Sequence, residues 1–242
     1  MKNNLLLFAS TLTFLLFTSY SCISFAGIKG SDSIVKSSFD ISDFNGIDVS
    51  HAISVQIVQA DEYKVIVNHN DNLKEFLVIG KSGSVLKIGL KSGKSYKNLK
   101  ISAIIYTPNI ETVKISGAAQ VFSSSLTTDN LKVSASGASN FKAEVKCKNL
   151  RLQGSGASSF KLIGATENMA CELSGASNLK GKALTVQTQL KVQASGASYI
   201  SILCNGKITP KLSGASSMHY YGSGTIIDES VTGASSVTSK EL

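Results

Sequence analysis

Three lysines, Lys142, Lys161 and Lys180, each stand five residues after the glycine of a Ser-Gly-Ala tripeptide. Cations that recur at one offset stack into a row if the offset is structural, and such a row could hold an anion. Lys132 and Arg151 stand five residues before the same glycines, with Lys191 later. Like charges about 4.8 Å apart on neighbouring strands repel, and an anionic partner would relieve that repulsion. The alternative is that the long side chains splay into solvent and salt screens them.

Other chemistry finds little support. From Ile110 onward only Asp228 and Glu229 adjoin, and neighbours along a strand point to opposite faces. No two carboxylates recur at one offset in successive copies, so a paired acid-base site is not expected. His51, His69 and His219 lack the spacing of a zinc site. His219, beside Tyr220 and Tyr221, reads as a surface ring among aromatics. No serine has a nucleophile-elbow context, and neither a phosphate-binding loop nor a calcium-binding nonapeptide occurs. No catalytic residue, metal or cofactor is expected.

What must position the lysines is a repeat. Its copies centre on Gly117, Gly137, Gly156, Gly175, Gly196, Gly214 and Gly233, with gaps of 20, 19, 19, 21, 18 and 19 residues. Six copies read Ser-Gly-Ala and the last reads Thr-Gly-Ala. A period of this size marks a stacked architecture in which no unit buries its apolar face alone.

Aligned on the glycines, the copies form columns. Two places before stand Ile115, Ala135, Gly154, Leu173, Ala194, Leu212 and Val231; four places after stand Val121, Phe141, Phe160, Leu179, Ile200, Met218 and Val237. Both columns are apolar except at Gly154. Between them, two places after the glycine, run Ala119 and then six serines. Spacings of two and four share one face of an extended chain, and the opposite parity is polar, as in Lys132, Ser134, Asn140, Lys142, Glu144 and Lys146. The pattern predicts an all-β fold, a parallel β-helix of about seven coils over 110–242. At about 4.8 Å per coil it is a rod of roughly 34 Å. The glycine stripe is expected at a corner of the coil.

Residues 27–109 are less regular but β-rich. Gly46 to Ile57 alternates with period two, Ala60-Asp61-Glu62 reads as a turn, and Tyr63 to Val67 as the return strand. Asn68 to Phe76 reads as a loop with a helical turn. Lys81-Ser82-Gly83-Ser84 divides a hairpin, and Ile101 to Tyr106 is a further strand. Ser50-His51-Ala52 resembles the repeat signature with histidine in place of glycine. This segment is expected to pack on the solenoid and cover its N-terminal edges.

Residues 1–26 have the form of an export signal: Lys2, an apolar run from Leu5 to Phe17, and Ser24-Phe25-Ala26 before Gly27. Lipidation at Cys22 is the competing route, although Ser19 stands where an aliphatic residue is usual. The chain has 242 residues, net charge +8, two prolines and no tryptophan. The basic exterior could attract anionic glycans, lipid head groups or nucleic acid, or could simply keep an exported protein soluble. Cys147, Cys171 and Cys204 fall on the apolar parity and are expected as buried, reduced thiols. Cys147 and Cys204, about three coils apart, are too distant for a disulfide.

Phe44-Asn45-Gly46-Ile47-Asp48-Val49-Ser50, Asn72-Leu73, and Thr107-Pro108-Asn109-Ile110 leading into Val113-Lys114-Ile115-Ser116-Gly117-Ala118 resemble a bacterial putative-adhesin family, the head (GIN) domain of trimeric autotransporters, a domain of unknown function. The likeness spans about Phe44 to Val237 and departs from the family pattern at His51. It implies an envelope or secreted β-solenoid and carries over no catalytic residues. With no heptad stalk or membrane-anchor barrel before Leu242, the chain is not expected to be a complete autotransporter. The expected function is that of a non-enzymatic, exported adhesin or surface-contact module of the periplasm, outer surface or medium. A polysaccharide-binding or polysaccharide-cleaving β-helix and a solenoid that self-associates through its ends are the alternatives. Expected partners are an anionic glycan, an envelope component or a second copy. Nucleic acid is not expected, and membrane attachment follows only from lipidation at Cys22.

Overall fold

The computed structural model describes residues 27–242, so the expected signal segment and Cys22 lie outside the described residues. The repeat winds into a parallel β-solenoid of about seven turns. Strand Thr112–Ile115 pairs in parallel with the end of Gln120–Ala135, which pairs with Asn140–Gly154, then Ser159–Leu173, then Asn178–Ala194. The ladder continues through Tyr199–Cys204 and Lys207–Leu212 to Ser217–Tyr221 and Ser236–Ser239.

Each coil has two contrasting corners. At the glycine corner the chain leaves the strand for a tight turn, and the seven repeat glycines have φ between +70° and +77°. The stacking there is backbone on backbone. Ala138 N–H donates to the Gly117 carbonyl at 2.8 Å, and a Cβ on Gly137 would lie 2.6 Å from that same oxygen. Left-handed backbone and direct overlap together demand glycine. At the far corner the chain stays extended, and inward parity slips by one residue. Cys147 and Leu150 are buried while Lys148 and Asn149 are both exposed.

The apolar columns form one continuous core that includes Phe141, Phe160, Leu179, Ile200 and Met218, each no more than 1 % exposed. Gly154, the exception in its column, has a packing reason. A Cβ there would meet the Phe160 ring and the Leu173 methyl at 2.7 Å, so the larger neighbours already fill its space. The serine column is also buried from Ser139 to Ser216. Ser177, Ser198 and Ser216 donate to the carbonyls of Ser174, Ser195 and Ser213, closing the turn on itself. Ser139 is the one buried side chain without a partner among the described residues.

The irregular segment continues the stack. Gly46–Val49 and Ser54–Gln59 pair in parallel with the first regular coil, at Thr112–Ile115 and Gln120–Ser123. His51 lies between them with φ +66°, directly under Gly117. It therefore occupies the corner position, as its place in the signature suggested. The layer beneath divides into two separate strands, Val85–Leu90 and Ser102–Thr107, and does not turn this corner. That leaves room for the imidazole, whose ring meets Tyr96 edge-on at 5.9 Å.

One local expectation needs correcting. Lys64–Asn70 does return antiparallel after the turn at 60–62, but not beside Ser54–Gln59. Ser102–Thr107 lies between them, parallel to one and antiparallel to the other. Alternation sets the inward face of each strand and leaves its neighbour open. The hairpin is Leu77–Ser82 with Val85–Leu90, and the helical turn is a 3-10 helix at Asp71–Phe76, with the preceding strand reaching Asn70. Ile34–Phe39 adds a last antiparallel strand.

Candidate interaction surface

Columns read from the sequence hold only where each coil keeps its length. Register is unbroken from seven residues before the glycine, where Asn130, Asn149, Asn168, Gln189 and Lys207 align, to five after it. The differences in repeat length are taken up beyond that stretch. Register shifts fall between Ser123 and Leu126, Lys161 and Ile163, Thr166 and Asn168, and Gly181 and Thr185. The glycine corner and its two flanking faces are thus the constant part of the coil, and bulges between about five and twelve residues after the glycine absorb the rest.

Within the constant part, Lys142, Lys161 and Lys180 align in three consecutive coils, and all three are exposed. Among the described residues, none of them lies within 4.0 Å of a carboxylate; the three ion pairs found are Lys100–Asp32, Lys148–Asp129 and Arg151–Glu172. The same column holds Phe122 one coil below Lys142, and Ser201 then His219 above Lys180. Phe122 is 40 % exposed and, with Ile163 at 42 %, gives an apolar floor to a groove of about 670 Å³ that Lys142 and Lys161 also line.

The row on the other side of the glycine corner is different. Lys132 and Arg151 are adjacent, but Ala170 separates them from Lys191. Arg151 donates to Glu172 at 2.6 Å, and Gln153 donates to the other oxygen of that carboxylate at 2.9 Å. This second row is interrupted and partly neutralised. Beside it runs an asparagine ladder that the sequence reading missed. Asn168 donates to Asn149 at 3.2 Å, and Asn149 to Asn130 at 2.9 Å. Identical residues seven before three successive glycines were its available signal, as Phe122 five after Gly117 was for the apolar floor.

Nearer the corner, the exposed or half-buried Ser116, Ser136, Ser155, Ser174 and Ser195 form one wall of a shallow groove of about 800 Å³. Its other wall carries Lys114, Ser134, Gln153, Glu172 and Gln193 in register. Its four charged residues, Asp48, Lys114, Glu172 and Lys211, are two of each sign, so this groove presents mixed hydrogen-bonding groups and no net field of one sign.

The histidines are dispersed. His69 is buried, with Nδ1 2.8 Å from the Asn70 carbonyl and Nε2 3.0 Å from Ser37 Oγ. His219 Nδ1 lies 3.2 Å from the Tyr199 hydroxyl, with the rings edge-to-face at 5.5 Å. No group of three or more His, Cys, Asp or Glu side chains poised for a metal occurs among the described residues. Cys147, Cys171 and Cys204 are free, buried thiols, as their parity predicted. Burial raises all three pKa values, that of Cys171 to about 12 with help from neighbouring Glu172. At neutral pH they are packing groups and not nucleophiles.

Residues 43–224 match the family described as putative auto-transporter adhesin, head GIN domain, and the chain belongs to that family. No curated protein matches it. Solved structures share the fold. A putative adhesin from Bacteroides fragilis aligns over 89% of this chain and 100% of its own, at 23% identity and a TM-score of 0.81. A putative adhesin from Parabacteroides merdae aligns over 88% and 99%, at 19% identity and 0.71. A putative lipid binding protein from Parabacteroides distasonis aligns over 88% and 99%, at 17% identity and 0.70. Identities this low speak to architecture alone.

Proposed function

We propose that this chain is an exported, non-enzymatic surface-contact module of the adhesin type. One observation carries the reading: the two faces flanking the glycine corner present the same outward positions, coil after coil, in unbroken register. A ligand contacting one coil finds equivalent groups at each next step of about 4.8 Å. Weak contacts then add along a rigid surface that loses little entropy on binding. Family membership supports adhesion, and the signal-like residues 1–26 support export.

Retention of bacterial envelope fractions on the immobilised protein, together with binding on a glycan array, is the expected result. Failure to retain any envelope component at low ionic strength would overturn the reading. Product release from a panel of acidic and neutral polysaccharides would overturn its non-enzymatic part.

A further inference from the structure

We propose that the face carrying Lys142, Lys161 and Lys180 binds a linear acidic polysaccharide laid along the solenoid axis, with the charged sugars meeting successive coils. The inference rests on the surface-contact reading and names its ligand class.

Among the described residues the three ammonium groups form a single file with no carboxylate within 4.0 Å, and with Glu144 the one acid lining the groove beside Lys142 and Lys161 the row keeps a net positive charge. An exposed aromatic ring ends the file on each side. Phe122 is in register one coil below Lys142, and Tyr199, 38 % exposed, lies one coil above Asn178 on the same face. Tyr199 is held upright by His219 through the ring contact and the hydroxyl hydrogen bond. From Phe122 to Tyr199 is four coil steps, about 19 Å. That span suits a short stretch of extended polymer and not a single small anion.

Chemistry beside the lysines selects among anionic polymers. The next outward column reads Asn140, Ser159 and Asn178, with Ser159 donating to Asn178 at 3.0 Å. Amides and hydroxyls at each charged step match the ring hydroxyls of a sugar acid. Single-stranded nucleic acid calls for aromatics interleaved with the charges, whereas here they stand only at the two ends. Hydrocarbon chains would need a continuous apolar channel, and the floor reaches only from Phe122 to Ile163.

Titration calorimetry of the purified full chain against polygalacturonate tests the assignment. Binding is expected to strengthen from the monosaccharide to oligomers that span the five coils and to weaken with added salt. The triple variant Lys142→Gln/Lys161→Gln/Lys180→Gln should bind roughly tenfold more weakly. Phe122→Ala should bind a few-fold more weakly. Lys36→Gln/Lys64→Gln, exposed in the irregular segment away from both flanking faces, should match wild type. An unaltered urea midpoint checks that the triple variant is folded, and Lys161→Gln with its reduced salt dependence gives a second readout.

Equal binding of dextran, undiminished binding by the triple variant, or preference for phosphatidylglycerol vesicles or oligo-dT overturns the assignment. Envelope retention that persists in the triple variant removes this site and leaves the surface-contact reading intact. Loss of envelope retention by wild type removes the reading itself.

Discussion

The two corners of the coil solve the same problem in opposite ways. At the glycine corner the backbone turns through a left-handed residue stacked against its counterpart below, and an added Cβ on Gly175 or Gly196 would sit 2.6 Å from a carbonyl oxygen. Nothing can be added there. From five to twelve residues after the glycine the chain stays extended, shifts parity at Lys148–Asn149, and takes up extra residues as bulges, one of them at the far corner itself between Thr166 and Asn168. Hence the corner that cannot change aligns the faces beside it, and the stretch leading to and around the far corner absorbs most of the spread in repeat length.

Breaking that contrast should have its largest effect in an insertion. One alanine placed between Ala138 and Ser139 shifts the whole following strand by one residue and turns Phe141 outward, so cooperative unfolding should be lost. The same alanine between Lys148 and Asn149 should cost about 1 kcal/mol or less, because a bulge can hold it. Urea unfolding of the two variants is the direct comparison, and equal costs would refute the distinction.

Gly175→Ala is expected to destabilise by roughly 3 kcal/mol, combining left-handed strain with overlap on the Gly156 carbonyl. Gly154→Ala, a glycine of the inward column and not of the corner, should cost less, about 1–3 kcal/mol. Its Cβ would meet the ends of the Phe160 and Leu173 side chains, which can yield. Urea midpoints in the reverse order would show that backbone stacking is not what the corner demands.

His51 gives the smallest and most specific effect. His51→Gly should change stability at pH 8 by about 1 kcal/mol or less, because relief of the left-handed strain offsets loss of the ring contact with Tyr96 and of the Nδ1 contacts with Ser50 Oγ at 2.9 Å and Leu90 N–H at 3.4 Å. Burial lowers the His51 pKa below its usual 6.5. The unfolded chain then takes up a proton more readily than the folded one. Stability from this group is full above pH 6.5 and is lost as pH falls toward the lower folded value. Unfolding midpoints of wild type and His51→Gly should differ in pH slope only below 6.5, and parallel slopes would discount the imidazole.

Columns could be read in advance because, for the glycines from Gly137 to Gly214, register is constant from seven residues before each glycine to five after it. Gly154 looked like an exception only because the Phe160 ring that fills its place comes from a position six residues on. The candidate surface was half legible. Lys142, Lys161 and Lys180 shared an offset, while Phe122 and Tyr199 were single departures from polar columns, visible only as exceptions at five and three residues after a glycine.

Sequence alone determined the period, the inward and outward parity, the glycine corner and the burial of the three thiols. Each of these follows from alternation along one chain and repetition at a near-constant interval. Tertiary structure decided which strand lies beside which in the irregular segment, where Ser102–Thr107 intervenes between two strands joined by a short turn. It also decided which basic row stays unpaired, because Arg151 meets Glu172 across coils while, among the described residues, the lysine file has no carboxylate within 4.0 Å. Pairing and neutralisation depend on groups brought together from distant parts of the chain, and local alternation does not specify them.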